Sequence, residues 1–193
     1  MAKLYFKYGA MNAGKSMQLI AFAHSLETQN IPYKVYKSAV DTREGKPVIY
    51  SRPLGEIPCE LVGKEDNKIW PKDAVQASNK PKWILVDEAQ FLTKEQVERL
   101  AILADQYDIN VMCYGLRSDF KTHLFEGSKR LFELADSISE IKGICKCGRK
   151  SIVNARTDKN GNILTAGPTV MVGMEDIYTT MCRKCYFENI KKE

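Results

Sequence analysis

The sequence predicts an α/β fold, a mostly parallel sheet covered by helices on both faces, and three observations carry that prediction. Short apolar runs suited to buried strands alternate with longer segments of helical periodicity. A glycine-containing loop, Gly9–Ser16, leaves the first strand and runs directly into the first helix. After Gly143 the helical periodicity fades and cysteines gather.

In chain order the strand candidates are Lys3–Tyr8, Tyr33–Ser38, Trp83–Asp87 and Ile109–Gly115, with a weaker one at Ile138–Gly143. Helical patterns lie between them at Lys15–Thr28, Lys68–Ser78, Thr93–Tyr107 and Leu124–Ala135. The third is the clearest: Val97, Leu100, Ala101, Ala104 and Tyr107 share one apolar face. Thr93 and Gln96 have capping-box spacing, and Leu92 can staple onto Val97. The expected division is a core over residues 1–142 and a small lobe over 143–193, in which Asp158–Asn162 reads as a hairpin turn. A lobe of about fifty residues needs a staple such as a metal.

A chain of 193 residues suits one domain, or one domain with an appendage. No apolar run approaches the roughly 20 residues that span a bilayer. Met1–Phe6 leads straight into a strand pattern, without the apolar region of a signal peptide. A cytoplasmic location with no membrane partner follows as the expectation. In that reducing compartment six cysteines suggest metal ligands and buried thiols rather than disulfides. The net charge of +5 is spread among 24 acids, and the densest basic pair is Lys191-Lys192. Such a distribution favours solubility and attraction for phosphate over direct nucleic-acid binding.

Gly9-Ala10-Met11-Asn12-Ala13-Gly14-Lys15-Ser16 fits G-x-x-x-x-G-K-[ST], the phosphate-binding P-loop. Its backbone N–H groups would wrap the phosphates of ATP at a helix N-terminus that favours negative charge. Lys15 would neutralise β/γ oxygens, and the Ser16 hydroxyl would hold Mg²⁺. Such a loop needs a carboxylate on a neighbouring strand. Asp87 ends the strand Trp83–Asp87, where it can join the Mg²⁺ shell, with Gln90 close behind. Glu88 then enters the cleft as a candidate general base. Alone, Asp87-Glu88 would read equally well as a solvated turn; beside the P-loop it reads as function. Asp41-Thr42-Arg43 follows the second strand, where Arg43 could stabilise a transferring phosphoryl group and Asp41 could orient it. The same residues also suit a surface ion pair. Phe91, Phe120 and Phe125 lie at or beyond strand ends, either flanking a flat base or packing in the core.

Cys145-Lys146-Cys147 and Cys182-Arg183-Lys184-Cys185 supply four thiolates across a hairpin, the donor set of a closed structural Zn²⁺ site. Reduced buried thiols are the plainer alternative. Cys113 reads as core and Cys59 as a loop residue without a role. His24 and His123 read as structural or surface residues, and Trp70 and Trp83 as packing.

With these motifs placed in order, the chain resembles the type II thymidine kinases, the cytosolic, zinc-containing class. The likeness runs through GAMNAGKS at Gly9–Ser16, DTR at Asp41–Arg43, DEAQF at Asp87–Phe91, YGL at Tyr114–Leu116, then C-x-C and C-x-x-C. The resemblance implies a RecA-like core, thymidine and deoxyuridine as acceptors, and a homotetramer. It makes Glu88 the base for the nucleoside 5′-hydroxyl and places Met11 against the thymine methyl. Phe91, Leu116, Phe120 and Phe125 would wall the nucleoside site. Thr169, Val170, Met171, Val172 and Gly173 would form a lasso whose backbone reads the pyrimidine, and Tyr178 would close over the sugar. Two departures stand out: Met174 where a second glycine is usual, and Leu124 where a proline is usual. The rivals are an ATP-driven nucleic-acid motor, since Asp87–Gln90 also resembles a helicase acidic box, and a non-catalytic nucleotide or zinc module.

Overall fold

The computed structural model describes residues 1–65, 69, 80–158, 160–167 and 177–190. The core elements are β1 (Leu4–Gly9), α1 (Lys15–Thr28), β2 (Tyr33–Ser38), β3 (Val48–Ser51), β4 (Gly55–Pro58), β5 (Glu60–Val62), β6 (Trp83–Asp87), α2 (Lys94–Tyr107), β7 (Asn110–Gly115), α3 (Glu126–Leu134) and β8 (Ser137–Ile141). Among the described residues, six strands form one sheet in the order β5-β2-β6-β7-β1-β8. Every pairing in it is parallel, as the alternation of strands and helices predicts.

Side-chain alternation along each strand builds two cores. Leu4, Phe6, Ile84, Val86, Val111 and Cys113 face α2 and α3. Leu85, Met112 and Tyr114, one residue out of phase, face Leu19, Ile20 and Ala23 of α1. Strands buried on both faces read as continuous apolar runs, which is why β6 and β7 are so plain in the sequence. Trp83 packs as expected, stacked on Tyr5 at 5.9 Å with Phe22 edge-on at 4.8 Å.

The capping box predicted at α2 is formed. Thr93 accepts from the Gln96 N–H at 3.2 Å, and the Gln96 side chain accepts from the Thr93 N–H at 3.0 Å. Gln96 Nε2 also donates to the Gly63 carbonyl, tying α2 to the end of β5. Leu92 and Val97 lie in the same buried cluster, as a staple requires.

Smaller elements complete the chain: β9 (Gly143–Ile144), β10 (Lys150–Ser151), β11 (Val153–Thr157), β12 (Ile177–Met181) and α4 (Arg183–Asn189). Two antiparallel ribbons, β9–β10 and β11–β12, follow the parallel sheet. The Asp158–Asn162 turn is closed as a hairpin: the Asp158 N–H donates to the Asn162 carbonyl, and Gly161 adopts φ 81°. Four features differ from expectation. The β3–β4 hairpin and edge strand β5 were not foreseen, because each is three or four residues long with too few buried positions to show a period. Gly143 belongs to β9 rather than to the strand ending the main sheet. Helix α4, seven residues long, falls where periodicity had faded; Cys182 caps it by accepting the Cys185 N–H. The helical pattern at Lys68–Ser78, Trp70 within it, and the Lys191-Lys192 pair lie outside the described residues.

No helix among the described residues is long and apolar enough to cross a membrane.

The entry to α3 depends on close approach. A Cβ on Gly127 would sit 2.5 Å from the Ala89 carbonyl oxygen and 2.8 Å from that of Leu92. Both neighbours are backbone and cannot swing aside. Gly127→Ala is therefore expected to destabilise the fold by about 1–3 kcal/mol, as overpacking does. Urea unfolding of the two proteins measures this, and an unchanged midpoint would show that α3 can shift without cost.

Candidate active site

The phosphate loop takes its shape from two left-handed residues, Asn12 at φ 57° and Gly14 at φ 90°. Alternating backbone handedness of this kind turns successive N–H groups toward one concavity. Gly9 is required where the loop leaves β1, since a Cβ there would meet the Ile141 carbonyl oxygen at 2.6 Å. Ala10 offers its carbonyl to Lys15 Nζ at 2.9 Å, and Ala13 bonds back to Ala10. The Met11 N–H donates to Asn154 Oδ1 at 2.8 Å, so β11 braces the loop from the far end of the chain.

Asp87 is not on the strand beside β1, as expected, but on the next but one, with β7 between them. Helix α1 packs across both β6 and β7 and so carries Ser16 over the gap. Its Oγ donates to Asp87 Oδ2 at 2.8 Å. Asp87 is 2% exposed; burial and the neighbouring Glu88 charge push its pKa up, against the opposing bond from Ser16. Lys15, also buried, is pulled down by desolvation and held up in part by Glu88 and Asp87. A hydroxyl and a carboxylate converging at the end of a P-loop are hard oxygen donors of the kind that suits Mg²⁺.

Glu88 adopts φ 51° and ψ 38°, a left-handed conformation that costs a non-glycine residue about 1–3 kcal/mol. A single 3-10 turn, Ala89–Phe91, begins immediately after it and holds it there. Its Oε1 accepts from Arg43 Nη2 at 2.6 Å, and its Oε2 accepts from the Gln90 amide. Gln90, expected at the ATP·Mg²⁺ site, thus donates to Glu88, while its Oε1 accepts the Leu116 N–H at 3.0 Å.

Arg43 also grips Asp41, donating from Nε at 2.6 Å and from Nη2 at 2.7 Å. Burial would raise the Asp41 pKa, but Arg43 and Lys37 carry it down to about 2. The Asp41–Arg43 pair is therefore no isolated surface contact: Asp41 is buried, and the network reaches the cleft. Lys37 and Glu44 were missed by sequence reasoning. The only signal was a lysine in phase with buried Val35 at the end of a strand.

On the opposite side, Phe91 and Phe125 meet edge-to-face at 5.6 Å. Phe120 is buried, with the Arg156 guanidinium 4.5 Å above its ring. Ser128 Oγ donates to the Leu116 carbonyl and so fixes the end of β7. Tyr178 stands on β12 directly opposite Arg156. The expected lasso residues Thr169–Gly173, and Met174, lie outside the described residues. Asn154, Arg156 and Tyr186 were also missed, for nothing local in the sequence marks them. Tyr186 on α4 donates to the Phe120 carbonyl at 3.0 Å, and Asn154 Nδ2 donates to that of Ser118. His24 pairs with exposed Glu27, and His123 is exposed, neither with a part in the site.

The four late cysteines come together as the spacing predicts. Their Sγ atoms all lie within 4.8 Å of one another, with Cys147 and Cys182 at 3.6 Å. A zinc–sulfur bond of about 2.3 Å gives tetrahedral edges of about 3.8 Å, so the cluster fits Zn²⁺. Backbone N–H groups of Cys147 and Cys182 bring the Cys145 thiol down to about 6, toward the thiolate a metal needs. Cys113 is core, and half-buried Cys59 sits between β4 and β5 with its thiol pushed up to about 11 by burial.

A family model described as thymidine kinase matches residues 2–186. This chain belongs to the thymidine kinase family. It is 40% identical to the thymidine kinase of Shewanella oneidensis over 98% of this chain and 99% of that one. It is 42% identical to that of Streptococcus pyogenes, over 97% and 98%, and 41% identical to that of Vibrio vulnificus over the whole of both. Among solved structures, the Pif1 helicase of Candida albicans is similar at 15% identity and a TM-score of 0.43, over 74% of this chain and 36% of that one. That likeness is too partial to bear on activity. As a thymidine kinase the protein is an ATP-dependent phosphotransferase, which sets aside the motor and the non-catalytic module.

Metal analysis of this kinase, purified without chelator, is expected to return about one zinc per chain. Cys147→Ser is expected to raise the thymidine KM more than the ATP KM, because Tyr186 links the cysteine-bearing α4 to Phe120. Protein free of zinc yet fully folded would contradict the metal assignment.

Proposed function

We propose that Glu88 is the general base that takes the proton from the thymidine 5′-hydroxyl as the γ-phosphoryl group leaves ATP. The observation that carries this reading is the Arg43–Glu88 contact, 2.6 Å, at the mouth of the phosphate loop. It sets a proton acceptor and a cation for transition-state charge within one hydrogen bond of each other. Phosphoryl transfer needs little more of a protein than positioning and charge.

In this reading the Gly9–Gly14 loop cradles the phosphates, and Lys15 neutralises the β/γ oxygens. Ser16 and Asp87 would hold Mg²⁺, which would supply positive charge to offset that of the phosphate oxygens. Asp41 aims Arg43, and Gln90 orients Glu88 while fixing Leu116. Met11, Phe91, Leu116, Phe120, Phe125 and Tyr178 form the nucleoside wall, with Thr169–Gly173 as a backbone lasso over the pyrimidine. Residues 1–142 act as the nucleotide-binding core. Residues 143–193 act as a lobe stapled by structural zinc on Cys145, Cys147, Cys182 and Cys185. A homotetramer in the cytoplasm, with thymidine and deoxyuridine as partners rather than nucleic acid or membrane, completes the reading on the strength of the family.

Glu88→Gln keeps the size and most hydrogen bonds of the base but cannot accept the proton. Its kcat is expected to fall by about 10²–10⁴, the usual range for loss of a general base. Binding of ATP·Mg²⁺ and thymidine, measured by calorimetry on the same preparation, is expected to stay near normal. Turnover close to the wild-type rate would remove Glu88 from that role.

A further inference from the structure

Lys37 is the buried cation that the reaction, as read above, leaves without a task. It lies near the C-terminal end of β2, 3% exposed, in register with Asp87 of β6. It shares a strand face with Val35, which packs in the α1 core. An ammonium in such a place is tolerated only when its donors are matched. They are: Nζ meets Asp41 Oδ2 at 3.0 Å, the Glu44 carboxylate, and the Val48 carbonyl at 3.4 Å. Asp41 and Glu44 lie in the segment between β2 and β3 and Val48 opens β3, so that segment folds around one charge.

From this geometry we infer that Lys37 is a positioning residue for phosphoryl transfer: it fixes Asp41, Asp41 fixes Arg43, and Arg43 reaches Glu88. The inference rests on the reading of Arg43 as the transition-state cation. The arginine side chain is 57% exposed, so little packing restrains it. What restrains it is the two-point bond to Asp41, whose side chain is 5% exposed, together with a single bond to Glu88. Lys37 meets the Asp41 carboxylate from the buried side, at 3.0 Å from Oδ2. Glu44, on the same ammonium, ties the segment to Lys37 three residues further on. Loss of Lys37 leaves the buried Asp41 carboxylate with Arg43 as its one remaining ion-pair partner, so the two can shift together, tethered only by the single Arg43–Glu88 bond. Displacing a catalytic group by about 1 Å can cost about 100-fold in rate.

Lys37→Met keeps the apolar stem and deletes the charge. Its kcat is expected to fall by about 10- to 100-fold, with the ATP KM changed less than about threefold. A structural role alone would not respect that split. The deciding comparison adds the same change to Arg43→Ala, where it is expected to alter kcat by less than about twofold, because its only route to the reaction is gone. A wild-type kcat in Lys37→Met, or equal losses in both backgrounds, would overturn the inference. If Arg43→Ala alone turned over normally, the reading of Arg43 would fail and take the inference with it. That outcome is distinct from a slow Arg43→Ala beside a normal Lys37→Met, which refutes Lys37 only. Should Lys37→Met fail to fold, Lys37→Gln, whose shorter neutral amide weakens the bond to Asp41 without leaving it unpaired, is put through the same comparison. A kcat loss of about threefold or more that disappears in the Arg43→Ala background is then expected, and no loss, or equal losses in both backgrounds, would overturn the inference.

Discussion

Four carboxylates, Asp41, Glu44, Asp87 and Glu88, and three cations, Lys15, Lys37 and Arg43, meet where β1, β2 and β6 end, and what the site does depends on their being held together. Asp41, Asp87 and Glu88 are each less than a tenth exposed, as are Lys15 and Lys37. Arg43 closes the cluster from the solvent side. None of these charges could stay buried alone, because desolvating an unpaired ion costs far more than a fold can spare. Lys37, Asp41, Arg43 and Glu88 hold one another by direct bonds, while Lys15 and Asp87 join them through the field of their charges. The same low dielectric that makes an unpaired charge intolerable also strengthens the fixed fields that phosphoryl transfer requires.

The parallel sheet is what brings these groups together. Its strands all end on one side, so loops distant in sequence deliver Gly9–Ser16, Asp41–Arg43, Asp87–Gln90 and Leu116 to one edge. Helix α1 then spans β7 and lets Ser16 meet Asp87. Strand β11 and helix α4 reach the same edge through specific bonds, Asn154 to Met11 and Ser118, and Tyr186 to Phe120. Cys185 of the cysteine cluster immediately precedes Tyr186, so a metal there would steady the residue that holds the Phe120 carbonyl.

What was legible in the sequence follows a physical pattern. Strands buried on both faces, such as Trp83–Asp87, announce themselves as apolar runs, and α2 by its face and its Thr93–Gln96 cap. Motifs whose chemistry constrains consecutive residues, Gly9–Ser16 and the cysteine pairs, were equally plain. The short hairpin Val48–Pro58 was not, since Ile49 and Ile57 are its only buried apolar residues. Lys37, Asn154 and Tyr186 were hidden for another reason. Their meaning lies in partners that only the tertiary fold supplies: Asn154 is 143 positions from Met11 in the chain. The depth of the Asp41–Arg43 pair was hidden likewise, because a surface pair and an active-site pair have the same local sequence.

The central claim is that Arg43 and Glu88 act as one unit rather than as two independent aids. The most direct test is kcat for thymidine phosphorylation in Arg43→Ala, Glu88→Gln and the double variant, measured at saturating ATP and thymidine. Groups that act together lose their effect together, so the double variant should fall within about tenfold of the slower single variant. If instead the two losses multiply, the residues contribute separately, and the 2.6 Å bond between them is a resting contact with no part in the reaction.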